Sequence, residues 1–134
     1  MTDLTKTDNL FFTQGGLDRG RIETLAGEAL SGTDDGELYL EFCQSESISF
    51  DDGRIRSASF DTTQGFGLRA ICGETAGYAH SSELSEAAIK RASKTVQSVR
   101  AGHGGTQVGA PAGTNTSLYT ETNPLGEVAF EDKV

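Results

Sequence analysis

The sequence has 134 residues and a formal net charge of −9. That length predicts one domain with a modest core, and only 35% of the residues are hydrophobic, in part because there are 17 glycines. No basic cluster is present to neutralise phosphate, which argues against nucleic acid and an anionic membrane surface as partners. Two cysteines, and no apolar run of signal-peptide or membrane-span length, predict a reduced cytoplasmic protein.

The first predicted elements are an N-terminal arm and a helix. The arm, residues 1–16, is polar except for one leucine and two phenylalanines, so it either docks through the phenylalanines or frays. A helix is expected from Asp18, which caps it, to about Leu30, with Gly32 where a C-terminal glycine is usual. The apolar positions that recur at helical spacing are Ile22, Leu25, Ala26, Ala29 and Leu30.

Four short antiparallel strands are predicted next. Residues 37–50 alternate between apolar even positions and polar odd positions, as in a sheet with one dry and one wet face. Gln44 and Glu46 interrupt the dry face, which predicts a bulge or a fray. Asp51-Asp52-Gly53 predicts a hairpin turn. The later strands are expected at 54–61, 65–72 and 76–80, with a loop from Asp61 to Gln64 and a turn at 73–75.

A second helix follows, capped by Ser81, Ser82 or Ser85. Its predicted stripe of small apolar groups is Leu84, Ala88, Ala92, Val96 and Val99. Residues 101–117 bury too little surface to offset their ordering entropy, so we expect a linker or a segment laid across another surface. Residues 128–134 resemble the first turn of a helix that lacks its remainder, so truncation is expected.

The predicted fold class is therefore α+β: an antiparallel four-stranded meander flanked by two helices, followed by a Gly-rich extended segment. The expected domain organisation is an N-terminal arm at 1–16, an α+β domain at 17–101, and a Gly-rich linker with the start of a truncated helix at 102–134.

Candidate metal ligands and nucleophiles are few. The soft or borderline ligands are Cys43, Cys72, His80 and His103. No pair has the spacing of a zinc motif, so no metal site is predicted. Cys72 shares a strand face with Phe66 and Leu68, so we expect it in the core. A Cys–His pair assembled only in space stays open, because distance in sequence does not forbid it.

Turn geometry explains the paired carboxylates at 34–35 and 51–52, which adjoin glycine. The segment from Gly65 to Gly67 lacks the lysine and the helix of a phosphate loop. Glycine within a strand marks the close approach of another backbone. Arg69 is expected near the wet face, as a solvated or salt-bridged surface arginine or as one that faces a carboxylate of a peptide or partner. Gly65, Gly67 and Arg69 are thus the candidate contacts for a substrate or a subunit.

The ordered motifs from residue 51 to residue 79 resemble the start of the TldD/PmbA family of metallopeptidases. The matching positions are Asp51, Gly53, Arg54, Ile55, Gln64, Gly65, Gly67, Arg69, Ala70, Gly73, Gly77, Tyr78 and Ala79. Residues 118–119 and 123–125 also resemble the family's segment before its central helices. The match is closer to the TldD branch than to the PmbA branch.

This resemblance implies that the full protein is a zinc-dependent peptidase of the bacterial cytoplasm. It implies cleavage or maturation of flexible peptides in an assembly with a PmbA-like partner subunit. The family's H-E-x-x-x-H helix lies in its C-terminal catalytic domain and has no counterpart here. No catalytic or metal-binding residue is therefore carried over, and we expect this chain to bind no cofactor and to be inactive alone.

The implied role is that of an N-terminal domain. It packs on its own C-terminal catalytic domain, helps to enclose the peptide cleft and contacts the partner subunit. The glycine-rich third strand is a candidate place for a peptide to add as an extra strand. The alternative is a free-standing module that binds a protein partner through its sheet. That alternative predicts a self-sufficient core, whereas the segments 118–125 and 128–134 favour the domain role.

Overall fold

The computed structural model describes residues 4–99 and 122–134. The predicted Gly-rich segment and His103 lie outside these ranges. The described residues fall into two units whose bounds interleave along the chain. We call residues 4–41 and 64–99 the helical unit, and residues 42–63 and 122–134 the hairpin unit.

The described elements confirm an α+β fold. The helices are α1 Thr5–Asp8, α2 Arg19–Leu30, α3 Glu86–Val96 and α4 Pro124–Glu127, with a π-helical turn at Asn9–Gln14 and 3-10 turns at Gln97–Val99 and Phe130–Asp132. The strands are β1 Asp35–Asp51, β2 Arg54–Cys72 and β3 Thr75–Ser81, and they form an antiparallel sheet in the order β1-β2-β3.

The sheet has three strands in the described part of the chain, rather than the predicted four. The predicted second and third strands, together with the loop Asp61–Gln64, form one continuous strand, β2. Nothing in that loop forces a turn, because the chain has no proline there and its two threonines are β-branched and favour extended backbone. The predicted fourth strand is β3, which pairs with the end of β2 from Phe66 to Cys72.

Helix α2 has the start, the end and the buried face that the sequence predicts. The side chain of Asp18 accepts a hydrogen bond from the backbone N–H of Arg21 at 2.7 Å. The buried residues of α2 are Ile22, Leu25, Ala26, Ala29 and Leu30. Gly32 follows the helix with φ at +79°, a conformation that glycine adopts without a steric penalty.

The cap of α3 is Ser85, one of the three serines that the sequence left open. Its hydroxyl accepts a hydrogen bond from the N–H of Ala88 at 3.1 Å. The hydroxyl of Ser81 instead accepts from the N–H of Glu83 at 3.0 Å, ahead of the helix. The buried residues of α3 are Ala88, Ile89, Ala92, Ser93 and Val96. The predicted stripe is thus confirmed at Ala88, Ala92 and Val96.

The core of the helical unit lies between one sheet face and the two longer helices. Phe66, Leu68 and Ala70 of β2 pack in one cluster with buried residues of α2 and α3. The N-terminal arm docks on the unit, because Phe11 is buried and Phe12 packs against the cluster. The opposite sheet face therefore carries Gly67, Arg69 and Ile71, which alternate with the core residues along β2.

The hairpin unit is built on the predicted turn. Asp52 and Gly53 have φ values of +50° and +71°, the pair of left-handed conformations that a type I′ turn requires. None of its residues that the structure describes is buried. Val128 has extended backbone dihedrals and is followed by a single 3-10 turn at Phe130–Asp132.

The polar interruptions in β1 are covered by the last described residues rather than being a bulge or a fray. The alternation of half-buried and exposed residues keeps its phase through Gln44 and Glu46. The amide of Asn123 donates to Oε1 of Gln44 at 3.1 Å. Lys133 Nζ lies 2.9 and 3.1 Å from the two carboxylate oxygens of Glu46 and donates to the carbonyl of Leu125 at 3.0 Å.

Candidate functional site

Two of the three candidate contacts lie on the sheet face that is turned away from α2 and α3. Arg69 is paired with Tyr78 across β2 and β3, and Gly67 is paired with His80. An ion pair between Arg69 and Glu37 brings the odd-numbered residues of β1 to the same face. We call this surface the open face and define it by Glu37, Tyr39, Glu41, Gly67, Arg69, Tyr78 and His80.

Gly67 is a point of close approach, but the approaching group is a side chain of this chain. A Cβ atom at Gly67 would lie 2.8 Å from the hydroxyl oxygen of Tyr78 and 3.2 Å from its ring. The tyrosine ring therefore lies over the bare backbone of the glycine. Gly65 differs, because a Cβ atom there would lie 2.5 Å from the backbone carbonyl oxygen of Ser81.

Near the candidate contacts, β2 has a neighbouring strand on each side. β2 is the middle strand of the sheet, and its residues 66–72 pair with β3. A peptide strand has no free edge of β2 to pair with along that stretch. A ligand at this site can therefore contact the Arg69 side chain and the sheet face, but it cannot add a strand between β2 and β3.

Arg69 has both a partner and an unsatisfied donor. Its Nη2 atom lies 3.2 Å from a carboxylate oxygen of Glu37, and the two side chains are 44% and 61% exposed. Exposed ion pairs of this kind contribute little to stability. Its Nε atom is shielded from solvent and has no hydrogen-bond partner among the described residues. The ion pair places the guanidinium beside Glu37 on the open face.

The open face also holds two exposed tyrosines that the sequence analysis did not nominate. Tyr39 is 57% exposed and Tyr78 is 62% exposed. The ring of Tyr78 lies 5.7 Å from that of His80, measured between centroids. The sequence does contain a signal for them: each is an aromatic residue at a solvent-facing position of a half-buried strand. Burial in the core does not explain an aromatic residue at such a position.

Tyr39 is coupled to a carboxylate two residues along β1. Its hydroxyl donates a hydrogen bond to Glu41 at 2.9 Å. This hydrogen bond raises the pKa of Tyr39, and the negative charge of Glu41 raises it further. Both effects favour the neutral phenol over the phenolate.

The candidate metal ligands that the structure describes, Cys43, Cys72 and His80, do not form a three-ligand group. In residues 4–99 and 122–134 no three His, Cys, Asp or Glu side chains form a group that could hold a metal ion. Both cysteines are free thiols: Cys72 is buried, as predicted, and Cys43 is exposed. The residues that the structure describes therefore do not fit a catalytic metal centre.

A shallow groove of about 220 Å³ lies between β3 and α3. Its polar lining includes Ser81, Arg91 and Thr95. The guanidinium of Arg91 is held by Glu83 at 2.7 Å. The hydroxyl of Ser85 and the guanidinium of Arg91 lower the pKa of Glu83, so this carboxylate is the charged partner of Arg91. The groove is smaller than most small-molecule sites.

The comparison with known proteins decides the family. A family model described as PmbA/TldA metallopeptidase domain 1 matches residues 36–101. The chain belongs to the TldD/PmbA family. That match contains most of β1, all of β2 and β3, and α3. The open face therefore lies in the first domain of this family.

Three curated relatives carry the name Metalloprotease TldD homolog. The chain is 29% identical to the one from Haemophilus influenzae over 105 residues, which are 75% of this chain and 22% of the relative. It is 29% identical to one from Buchnera aphidicola (subspecies Acyrthosiphon pisum), over 75% of this chain and 21% of the relative. A second Buchnera relative (subspecies Schizaphis graminum) is 30% identical over 49% of this chain and 14% of the relative.

The chain thus spans about a fifth of the length of the first two of these TldD homologues. Among its described helices, none combines the length and the apolar character that crossing a membrane requires.

Proposed function

We propose that this chain is the N-terminal, non-catalytic domain of a TldD-like, metal-dependent peptidase that degrades or matures flexible peptides. The observation that carries the proposal is the match of residues 36–101 to the first domain of the family, with relatives named as TldD metalloproteases. The chain contains no H-E-x-x-x-H motif. In this proposal the metal, zinc, belongs to the C-terminal catalytic domain.

The domain would shape the peptide cleft and contact a PmbA-like partner subunit in the cytoplasm. The open face supports this role, because it is preformed, rich in polar groups and not used by the core of the helical unit. Arg69 and Gly67 lie at its centre, beside two exposed tyrosines. Amphipathic rings of this kind are enriched at protein interfaces.

A peptidase assay with a flexible, unstructured peptide tests the proposal. It compares this 134-residue chain, a chain extended to the length of the TldD homologues, and the extended chain with a PmbA-like subunit. Each is measured with added zinc and with a chelator. We expect cleavage only in the extended assembly with metal. Chelator-sensitive cleavage by the short chain alone would contradict the non-catalytic role, and no cleavage by any combination would contradict the peptidase.

A free-standing interaction module is the second candidate, and one observation favours it. The helical unit buries a core cluster of its own, as a module that folds alone requires. The assay separates the two candidates, since a module would leave the activity of the extended assembly unchanged when its open face is altered. A Tyr78→Leu change in the extended chain, with an unaltered catalytic domain, makes that comparison.

A further inference from the structure

The open face combines aromatic rings with negative charge. Tyr39 and Tyr78 are both more than half exposed, and Glu37 and Glu41 lie on the same face of β1 as Tyr39. Arg69 is the single cation among the residues that define the face, and its ion pair with Glu37 offsets its charge. Among the residues of the open face, no cation offsets the negative charge of Glu41, which lies next to the Tyr39 hydroxyl.

The basic side chains of α3 lie on the other side of the sheet from the open face. The chain has a formal net charge of −9. Lys90, Arg91 and Lys94 lie on α3, which packs against the other side of the sheet. A positively charged group that approaches the open face is therefore attracted by the chain as a whole and meets carboxylates on arrival.

We infer that the open face binds a polypeptide segment through an arginine or lysine side chain, which stacks on Tyr39 and Tyr78 and pairs with Glu41. The face of an aromatic ring attracts a cation through the ring quadrupole. A guanidinium also forms charge-assisted hydrogen bonds with a carboxylate, and it stacks better than an ammonium. Arginine is thus the better ligand of the two.

The Tyr39 hydroxyl is held in place before the ligand arrives, whereas the exposed Tyr78 ring can adjust to the ligand. Tyr78 lies over Gly67, which has no side chain to displace it. The hydroxyl of Tyr39 is fixed by its hydrogen bond to Glu41. Groups that are already ordered lose less conformational entropy on binding. The inference concerns binding by this chain alone, so its failure would leave the proposed peptidase role untouched.

The test is a titration of the ¹⁵N-labelled 134-residue chain, followed by amide chemical shifts. The probe is a flexible Gly-Ser peptide that carries two arginines. Matched peptides carry citrulline, which keeps the shape of arginine without its charge, or glutamate. We expect the arginine peptide to shift amides of Tyr39, Glu41, Gly67 and Tyr78, and the citrulline peptide to bind more weakly.

Two variants and one control separate a specific site from general attraction. Tyr78→Leu keeps an apolar group over Gly67 but removes the ring, and Glu41→Gln keeps an acceptor for Tyr39 but removes the charge. Each should weaken binding by about two- to fivefold, as expected for an exposed cation–π or ion-pair contact. Glu127→Gln removes one exposed charge of α4 and should leave the affinity unchanged.

Several results would overturn the inference. If the citrulline peptide bound as tightly as the arginine peptide, the positive charge of the ligand would not contribute to binding. Tighter binding of the glutamate peptide would assign the face to anions and to Arg69. If Glu127→Gln weakened binding as much as Glu41→Gln, the binding would depend on the net charge of the chain and not on this site. Shifts confined to residues 42–63 would place the contact on the hairpin unit, and no shifts at millimolar peptide would exclude the site.

Discussion

At the scale of single residues, the two glycines nominated from the sequence have different reasons to be glycine. A Cβ at Gly65 meets the backbone carbonyl of Ser81, whereas a Cβ at Gly67 meets the free end of the Tyr78 side chain. Backbone in a paired strand cannot move away without breaking the pairing. An exposed tyrosine ring can rotate into solvent.

This difference makes a testable prediction. Gly65→Ala should lower the free energy of unfolding by about 1–3 kcal/mol, the usual cost of overpacking. Gly67→Ala should cost less than about 1 kcal/mol, because Tyr78 moves and alanine is better than glycine in a strand. Urea unfolding followed by circular dichroism measures both. A larger loss for Gly67→Ala would mean that the Tyr78 ring is held more firmly than its exposure indicates.

The pKa of Tyr39 gives a second prediction at this scale. Glu41 accepts the phenol proton in a hydrogen bond and repels a phenolate, so it raises the pKa of Tyr39. Glu41→Gln should therefore lower this pKa towards the ordinary value for tyrosine, because the repulsion is lost. An NMR titration of the ring carbons resolves Tyr39 from the other tyrosines.

Glu37→Gln is the matched control for that titration. Glu37 is also a carboxylate of β1 on the open face, but it forms an ion pair with Arg69. Its removal should change the pKa of Tyr39 less than the removal of Glu41 does. An equal change in the two variants would show that the hydrogen bond in the structure is not what sets the pKa.

At the scale of elements, local chemistry predicted ends and turns better than it predicted strand number. Asp18 and Gly32 mark the limits of α2, and Asp52-Gly53 forms the predicted hairpin turn. Each of these signals depends on a few neighbouring atoms. The length of β2 depends instead on whether Asp61–Gln64 extends or turns, and the extended preference of two threonines is too weak a signal to predict that choice.

The choice among three candidate caps illustrates the same limit. Ser81, Ser82 and Ser85 have the same side chain, so their chemistry cannot distinguish them. The structure selects Ser85 because its hydroxyl reaches the N–H of Ala88. Ser81 is the last residue of β3 and bonds the N–H of Glu83 instead. The choice is made by where β3 ends, which is a property of its pairing with β2.

Removal of the cap should be measurable. Ser85→Ala should lower the free energy of unfolding by about 1 kcal/mol, the typical cost of losing an N-cap. Ser82→Ala is the control and should change it by less than about 0.5 kcal/mol, as surface substitutions away from such features do. Thermal unfolding of the two variants gives the comparison. Equal losses would show that the helix does not depend on the Ser85 hydroxyl.

At the scale of the whole molecule, the two units differ in how they are stabilised. The helical unit has a buried cluster drawn from α2, α3 and the sheet. In the hairpin unit no described residue is buried, and exposed apolar side chains include Phe50, Ile55 and Phe60. The alternation of apolar and polar residues did not predict this contrast. It shows which residues share one face of a strand, but not whether another element packs on that face.

Within the hairpin unit, the most shielded polar contact joins the last described residues to β1. The side chains of Lys133 and Glu46 are only 17% and 18% exposed. The removal of one partner from a largely desolvated pair leaves the other charge without compensation. This contact, rather than apolar burial, should therefore hold the segment 122–134 against β1.

Native-state hydrogen exchange tests both the lower stability of the hairpin unit and the role of the contact between Lys133 and Glu46. Amides of residues 42–48 should have an opening free energy at least about 1.4 kcal/mol below that of Leu68 and Ala70, because regions with few buried contacts open locally. This difference corresponds to about a tenfold lower protection factor. Lys133→Met should reduce protection at residues 44–46 and leave Leu68 unchanged. The control Lys94→Met on α3 should leave the protection of residues 44–46 unchanged. Equal protection across β1 and β2 in the unaltered chain would instead mean that the sheet opens as one cooperative unit, and that the hairpin derives its stability from the same core as the helices.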